Sequence, residues 1–435
     1  MTRLIAINAL IRVAAAGSGQ LFAFLLAERF AGRTATGALL VGTIGAAFFV
    51  TELLGAPYAG RMADKYGQLR ILRTGPVFGV VSALVAAAVA VGAPGVMLLA
   101  GILFLARLNE GASAACAVPT TLALISRGTD GDPRRRTRVM GAFEISSMLG
   151  MISGFVIVGV AWDSIGAWAF LLLPPFYALA WYLVGRLESG NVVVDAESEY
   201  ENYDDEDQER DEGNDEGNDE GRVEGEPPAV LSTLRLVARR PGAVAFGVAW
   251  LSVNAVVGLW IQQAPFLLSL PERSAEQALV GGFSGQQIGI IFAVWGLAFL
   301  LGIGLWVWLA PGWPRRRAMT VALVGMIGVV AALTAVNHGG HNLFLWVGVV
   351  FVLVESGFTP AAFAHLAELT RPLDATRGTA MGLYSVLLGT GQLVGNLLGG
   401  LFSAKWQMDG VLLLTAILAV IAFIGVLKSE EAELS

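Results

Sequence analysis

Long apolar runs alternate with short polar ones from one end of the chain to the other. A helix rises about 1.5 Å per residue, so about 20 apolar residues cross the hydrocarbon core of a bilayer. Twelve such runs are read, at roughly 4–27, 36–58, 71–92, 95–125, 139–161, 167–186, 242–268, 288–309, 317–336, 343–366, 378–402 and 410–427. Gly and Pro recur inside them, which spanning helices tolerate because neighbouring helices pack closely and satisfy the freed backbone groups. The first run, MTRLIAINALIRVAAAGSGQLF, superficially resembles a secretory signal. Arg12 interrupts it, however, and its apolar character continues to Phe30, so it reads as an uncleaved first span.

Composition agrees with this pattern. The chain is 55% hydrophobic and 14% charged, against about 25% charged in soluble domains. It reads as a multi-pass membrane protein with the lipid bilayer as its surroundings, and nothing in it points to nucleic acid. The single cysteine, Cys116, excludes an intrachain disulfide and a cysteine-based metal site. The net charge of −7 hides a division: residues 188–226 hold eighteen Asp or Glu and two Arg, or −16, which leaves +9 elsewhere. This tract, with its DDEDQERDEGNDEGNDEG core, has no apolar face and repels itself, so disorder is expected. It divides six spans from six. A solvated linker and a regulatory or partner-binding tail are the two readings open to it. Residues 231–240, apolar on one side and basic on the other, read as an interfacial helix leading into span 7. The expected organisation is an N-terminal six-helix bundle at 1–187, an acidic linker at 188–228 and a C-terminal six-helix bundle at 229–435.

Orientation follows from Lys and Arg. With both termini inside, the inner loops, tract and tails hold 22 of the 28, the outer loops four, and Arg12 and Arg107 lie within the membrane. Both termini are therefore expected in the cytoplasm. The two halves are also related. MGAFEISSMLGMISG at 140–154 aligns without gaps on MGLYSVLLGTGQLVG at 381–395, and the same offset places Pro119 on Pro360 and Ala123 on Ala364. A parallel repeat of this kind marks two bundles related by an axis along the membrane normal.

Between spans 2 and 3 lies GRMADKYGQLRILR, residues 60–73. It reads as a charged loop whose two glycines, Gly60 and Gly67, let the chain turn where two helices meet. Gly60, Asp64, Lys65, Gly67 and Arg70 in this spacing, with the 6+6 repeat and central linker, resemble the major facilitator superfamily over essentially the whole chain. Gln68 and Leu69 stand where that family has a basic pair. Arg107-Leu-Asn-Glu110-Gly111 in span 4 is similar to another of its motifs. The Gly-Pro step of many antiporters is missing: Phe155 stands in place of the Pro. In the second half the counterpart of the loop is reduced to Gly304 and the basic cluster Arg315–Arg317.

The resemblance implies an all-α integral membrane fold, with twelve transmembrane helices in two six-helix pseudo-symmetric bundles. It implies a cavity lined by spans 1, 4, 7 and 10. It also implies a conformational latch at Gly60, Asp64, Lys65, Gly67 and Arg70, with Asp64 bound to the inner end of span 11 in the outward-open state. Drug–proton antiporter-type members are the most similar, and their matching Arg is associated with proton coupling.

Charges at membrane depth cost roughly 2.5–3.5 kcal/mol each on insertion scales, so those that persist are paired or functional. Arg107 and Glu110 share a helix face three residues apart and either pair with each other or couple protons. Glu52 has no basic residue within a turn, the setting of a proton carrier or of a group hydrogen-bonded to neighbouring helices. Glu355 is the only mid-membrane charge of the second half. Arg12 either balances Glu110 or Glu355 or binds an anionic substrate, while Glu144, near the inner end of span 5, reads as structural. Asn254, Trp260 and Gln263 in span 7 are substrate-site candidates by resemblance, with interfacial anchoring the other reading. His338 and His341 lie in an outer loop and lack the further ligands a metal needs. His365 ends span 10 with no partner visible in the sequence. No catalytic set, cofactor loop or metal site is found, so the chain is not expected to be an enzyme.

The expectation is a monomeric secondary transporter of the plasma membrane that moves a small-molecule substrate with protons as coupling ion, exporting a hydrophobic or amphipathic compound. A proton-linked importer or uniporter is the alternative within the fold, and a membrane sensor or scaffold the alternative outside it.

Overall fold

The computed structural model describes residues 1–92, 94–129, 133–188, 239–310, 312–370 and 377–431. The acidic tract beyond Glu188 and the interfacial segment up to residue 238 lie outside them. The described residues form helices joined by short turns, with no strand among them. The helices are α1 (Thr2–Arg29), α2 (Thr34–Tyr66), α3 (Gln68–Gly92), α4 (Val96–Arg127), α5 (Pro133–Ile165), α6 (Leu173–Glu188), α7 (Ala243–Leu268), α8 (Gly285–Leu309), α9 (Arg315–Asn337), α10 (Leu343–Glu355), α11 (Phe358–Thr370) and α12 (Arg377–Glu431). A 3-10 turn, Gly166–Leu172, joins α5 to α6.

Among the described residues, ten continuous helical stretches are long and apolar enough to cross a membrane. Two of them fold back on themselves. The first part of α12 runs beside α7 in the same direction, with Gly391 against Leu251 and Gly399 against Leu259. Its second part runs the opposite way, with Gly425 against Ala245 and Thr415 bonded to Trp260. The reversal falls at Gln407, whose φ of 53° and ψ of −127° are not helical. Likewise α5 runs along α1 from Ala9–Gly150 to Gly17–Val158, and α6 returns from Gly17–Leu173 to Arg3–Arg186. Gly166, at φ 56°, makes that turn possible. These two hairpins are why ten continuous stretches stand where the hydropathy pattern shows twelve runs.

The segment 60–73 is not a loop. Residues 60–66 complete α2, residues 68–73 begin α3, and the whole turn is Gly67 at φ 93°. Gly60 is helical, with open space where a Cβ would stand. The expectation of two turning glycines is thus corrected to one. Charge marks where a helix leaves the apolar layer, not where its backbone stops, so the helices project beyond it. Span 10 is also corrected: it is two helices, α10 and α11, interrupted at Ser356–Gly357.

Met1 and Glu431 lie at the same end of the molecule, called proximal; the turns at 30–33, 338–342 and Gln407 mark the distal end. Distally one apolar core is shared by both halves, with Phe22, Phe24, Phe30 and Ile44 in the same cluster as Leu259, Phe266 and Val411. Proximally the core divides. Leu4, Ile7, Leu72, Ile125 and Val184 form one cluster in the first half, and Phe246, Leu323, Leu366 and Val426 form another in the second. Among the described residues the halves therefore share a core distally and keep separate cores proximally.

Small residues make the distal joint. A Cβ on Gly42 would lie 2.5 Å from the Asn396 carbonyl, and one on Gly37 2.6 Å from the Phe266 ring. Within the second half, a Cβ on Gly395 would overlap the Ala255 carbonyl oxygen. Gly395→Val is expected to cost about 1–3 kcal/mol or more through backbone displacement. Gly304→Val, which meets open space, stays within about 0.5 kcal/mol. Thermal unfolding of the purified protein in detergent compares them.

Candidate functional site

Spans 4, 1 and 6 bring a charged cluster into the first half. Arg107 Nη1 lies 2.7 Å from Glu110 Oε2, and both side chains are buried. Ser18 Oγ donates to the same carboxylate oxygen at 2.9 Å, and the Tyr177 hydroxyl donates to Oε1 at 2.9 Å. The guanidinium also lies over the rings of Phe48 at 4.8 Å and Phe22 at 5.5 Å. Glu110 thus accepts from three elements, α1, α4 and α6. Helical geometry accounts for the first contact, since residues three apart share a face. Two glycines let the rest assemble: a Cβ on Gly79 would overlap the Tyr177 ring, and one on Gly111 the Phe48 carbonyl. Arg107 and Glu110 therefore pair with each other. Arg12 forms no ion pair with Glu110, whose carboxylate Arg107 engages. Ser18 and Tyr177 do not stand out in the sequence; a hydroxyl at mid-span is the only signal they carry.

Arg12 stands apart from that network. It is half-buried and makes no hydrogen bond or ion pair among the described residues. Glu52 of α2 and Glu144 of α5 likewise make no hydrogen bond or ion pair with it among the described residues.

The second half presents a different arrangement. Glu355 is the last residue of α10 and lines a cavity of about 60 Å³ with Trp250, Val253, Asn254, Val257, Phe299, Phe358 and Thr359. Among the described residues it makes no ion pair. The helix break beside it is sealed from α8. Trp306 Nε1 donates to the carbonyls of Leu353 at 3.2 Å and Val354 at 3.0 Å, which also accept from the Ser356 hydroxyl at 2.8 Å and the Gly357 N–H at 3.3 Å. Gly357 makes room, since a Cβ there would overlap the Trp306 ring. Pro360, four residues after Ser356, removes a helical donor and accounts for the break.

The remaining candidates are placed as follows. Asn254 reaches the Glu355 cavity and donates to the Trp250 carbonyl on its own helix. Trp260 donates to Thr415 at 2.9 Å and stacks on Trp295, so it ties α7 to α12 and α8. Gln263 is fully buried and donates to the Ala38 carbonyl at 3.1 Å, across the distal joint. Asp64, Lys65 and Arg70 are exposed at the proximal end; Lys65 lies 5.3 Å from the Tyr66 ring, and Asp64 makes no ion pair among the described residues. His338 pairs with Asp409 at 3.0 Å, and His365 packs edge-on against Phe246 at 4.6 Å. No group of three metal-ligating side chains occurs among the described residues.

Two helical halves joined at one end and parted at the other, with charged side chains between the helices at membrane depth, define a transporter rather than an enzyme. The chain belongs to the major facilitator superfamily, whose model matches residues 9–278 and 276–434. Over 150 residues, 33% of the chain, it is 27% identical to the quinolone resistance protein NorB of Staphylococcus aureus (strain JH9). That match spans 30% of the relative's length. Among solved structures it is similar in fold to the nucleoside transporter NupG, at TM-score 0.67 and 14% identity, covering 100% of this chain and 99% of that one. It is also similar to an auto-inhibited peptide transporter of the POT family, at TM-score 0.63 and 14% identity, covering 99% and 96%.

Arg107→Met strands the Glu110 carboxylate in the core and is expected to cost about 3–5 kcal/mol. Adding Glu110→Gln removes the stranded charge and returns part of that loss, a non-additivity that unfolding of the single and double variants measures.

Proposed function

We propose that this secondary transporter couples proton movement to export of a hydrophobic or amphipathic small molecule. The observation that carries the reading is the division of labour among its membrane carboxylates. Glu110 is saturated by Arg107, Ser18 and Tyr177. Glu355 and Glu52 have no such partners among the described residues, and a carboxylate without a paired cation can exchange a proton as access to it alternates. Aromatic side chains at Trp250, Phe299 and Phe358 beside Asn254 and Glu355 give this region an apolar lining with two polar members, and its cavity of about 60 Å³ must widen as the halves move before it admits a substrate. The name of the Staphylococcus aureus relative, a quinolone resistance protein, supports outward movement.

In this reading 1–187 and 229–435 rock about a midplane site, tied by the linker at 188–228. The Lys and Arg distribution puts the proximal end in the cytoplasm, so the parted state faces inward. Asp64, exposed here, binds the second half when the proximal end closes. Arg12 serves the substrate's anionic or polar group, Glu52 and Glu355 carry the coupling, and the Arg107–Glu110 pair, a coupling candidate in the sequence, fastens the first half together.

Proteoliposome flux of a panel of dyes, amphipathic drugs and metabolites under an imposed pH gradient tests the proposal. Gradient-driven flux that a protonophore abolishes is expected. Flux indifferent to the gradient defeats proton coupling, and uptake of a metabolite in place of drug export moves the reading to an importer. Glu355→Gln and Glu52→Gln are expected to leave substrate binding within a few-fold while gradient-driven flux falls at least about tenfold.

Asp64→Asn is expected to abolish transport while leaving membrane insertion intact. Normal flux in that variant removes the proximal latch.

A further inference from the structure

A helix begins with four backbone N–H groups that its own turns cannot satisfy. At the start of α8 these donors have found acceptors, and the acceptors come from two sources. Ser284 Oγ takes the Gln287 N–H at 3.2 Å, the Gln287 side chain returns to the Ser284 N–H at 3.0 Å, and the Ile288 N–H bonds the Ser284 carbonyl at 3.0 Å. This capping box is local to α8. The other two donors leave the helix. Gly285 N–H donates to Asp163 Oδ1 at 2.7 Å, and Gln286 N–H to Asp163 Oδ2 at 2.8 Å. Asp163 belongs to α5, in the other half of the molecule.

The carboxylate stands at the distal end of a backbone seam. A Cβ on Gly159 would overlap the Gly285 carbonyl, and one on Gly289 would lie 2.7 Å from the Phe155 carbonyl. Phe155 and Phe292 pack at 4.9 Å, and Gly296 meets Ile152. For about three turns, α5 and α8 touch with almost nothing between them. Along that seam Asp163 contributes the one charged link among the described residues, aimed at the positive end of the α8 dipole.

We propose that Asp163 is the distal latch of the transport cycle. It holds the two halves shut at this end by capping α8 across the seam, and it lets go each time that end opens. The proposal rests on the alternating-access reading. Its chemistry suits repeated release. Asp163 and Gln286 are exposed, so water replaces their bond when the halves part. The capping box stays with α8, so the helix end does not unravel. The two ends of the molecule are then reciprocal: in this state the proximal carboxylate, Asp64, is free among the described residues and the distal one, Asp163, is engaged.

The test uses the full chain with Cys116→Ser and spin labels on cysteines introduced at Ala35 and Ala275, exposed distal positions on opposite halves. Distance distributions are measured by double electron–electron resonance in lipid, alongside proteoliposome flux. Asp163→Ala is expected to raise the distally open fraction roughly five- to tenfold. Asp163→Asn, which keeps one acceptor, shifts it less. Ser284→Ala weakens the same helix end without touching the link and leaves the distribution where it was. An unchanged distribution in Asp163→Ala overturns the proposal, as does a shift of equal size in Ser284→Ala, which reduces the effect to fraying of α8. If the distances move as expected but the unmodified protein carries no substrate, the latch stands and the export reading falls. If flux is present and the distances do not move, the reverse holds.

Discussion

Within lipid, burying one apolar side chain against another gains little, because the acyl chains are equally apolar. Helices there are held by close backbone approach and by polar groups that have nowhere else to go. The distal seam is built on that constraint. Gly37, Gly42, Gly159, Gly285 and Gly289 bring α2 and α5 of one half onto α7, α8 and α12 of the other at distances that no side chain would permit. Such contacts are short-ranged, so the seam is either made or broken, with little in between. A joint of that kind suits a molecule that opens at one end while closing at the other. It also explains the form of the apolar core, single and shared distally but divided proximally.

Polar groups obey the same constraint and sort into two kinds. Arg107 and Glu110 are enclosed, paired and saturated, and they fasten α1, α4 and α6 into one body. Glu355 sits at the broken span 10 with no ion pair among the described residues, and Arg12 and Glu52 are likewise without one. The first kind gives the first half its rigidity. The second leaves carboxylates inside the helical halves that no cation among the described residues neutralises by contact, Glu355 among the second-half helices that line its cavity. Trp306 serves the break in the same spirit: its indole adds a donor from α8 to two carbonyls that Ser356 and Gly357 already engage, and so ties the interruption beside Glu355 to the neighbouring helix.

Much of the fold is legible in the sequence because insertion in a bilayer imposes a length and a polarity on every crossing segment. The apolar runs, the internal repeat joining 140–154 to 381–395, and the motif at 60–73 lead to the superfamily that the whole chain matches. The Arg107–Glu110 pair is legible too, since a three-residue spacing decides which side chains of one helix meet. The corrections are local. Residues 60–73 read as a loop because charge interrupts hydropathy, yet helices run through charge once they leave the lipid. Span 10 reads as unbroken because Ser356 and Gly357 are apolar enough to pass.

The sequence by itself determined what depends on neighbours along the chain: which segments enter the membrane, their order, the repeat, and the Arg107–Glu110 ion pair set by helical pitch. Only the tertiary structure decided what depends on contacts between distant segments. It showed that Tyr177 and Ser18 complete the shell of Glu110, and that Arg12 has no bonded partner among the described residues. It also showed that Gln263 bonds across the joint, and that Asp163 reaches the α8 N-terminus 122 residues away. The physical reason is that periodicity fixes a side chain's direction on its own helix, whereas its partner depends on how helices are turned about their axes. That rotation is set by glycine contacts summed over the whole bundle.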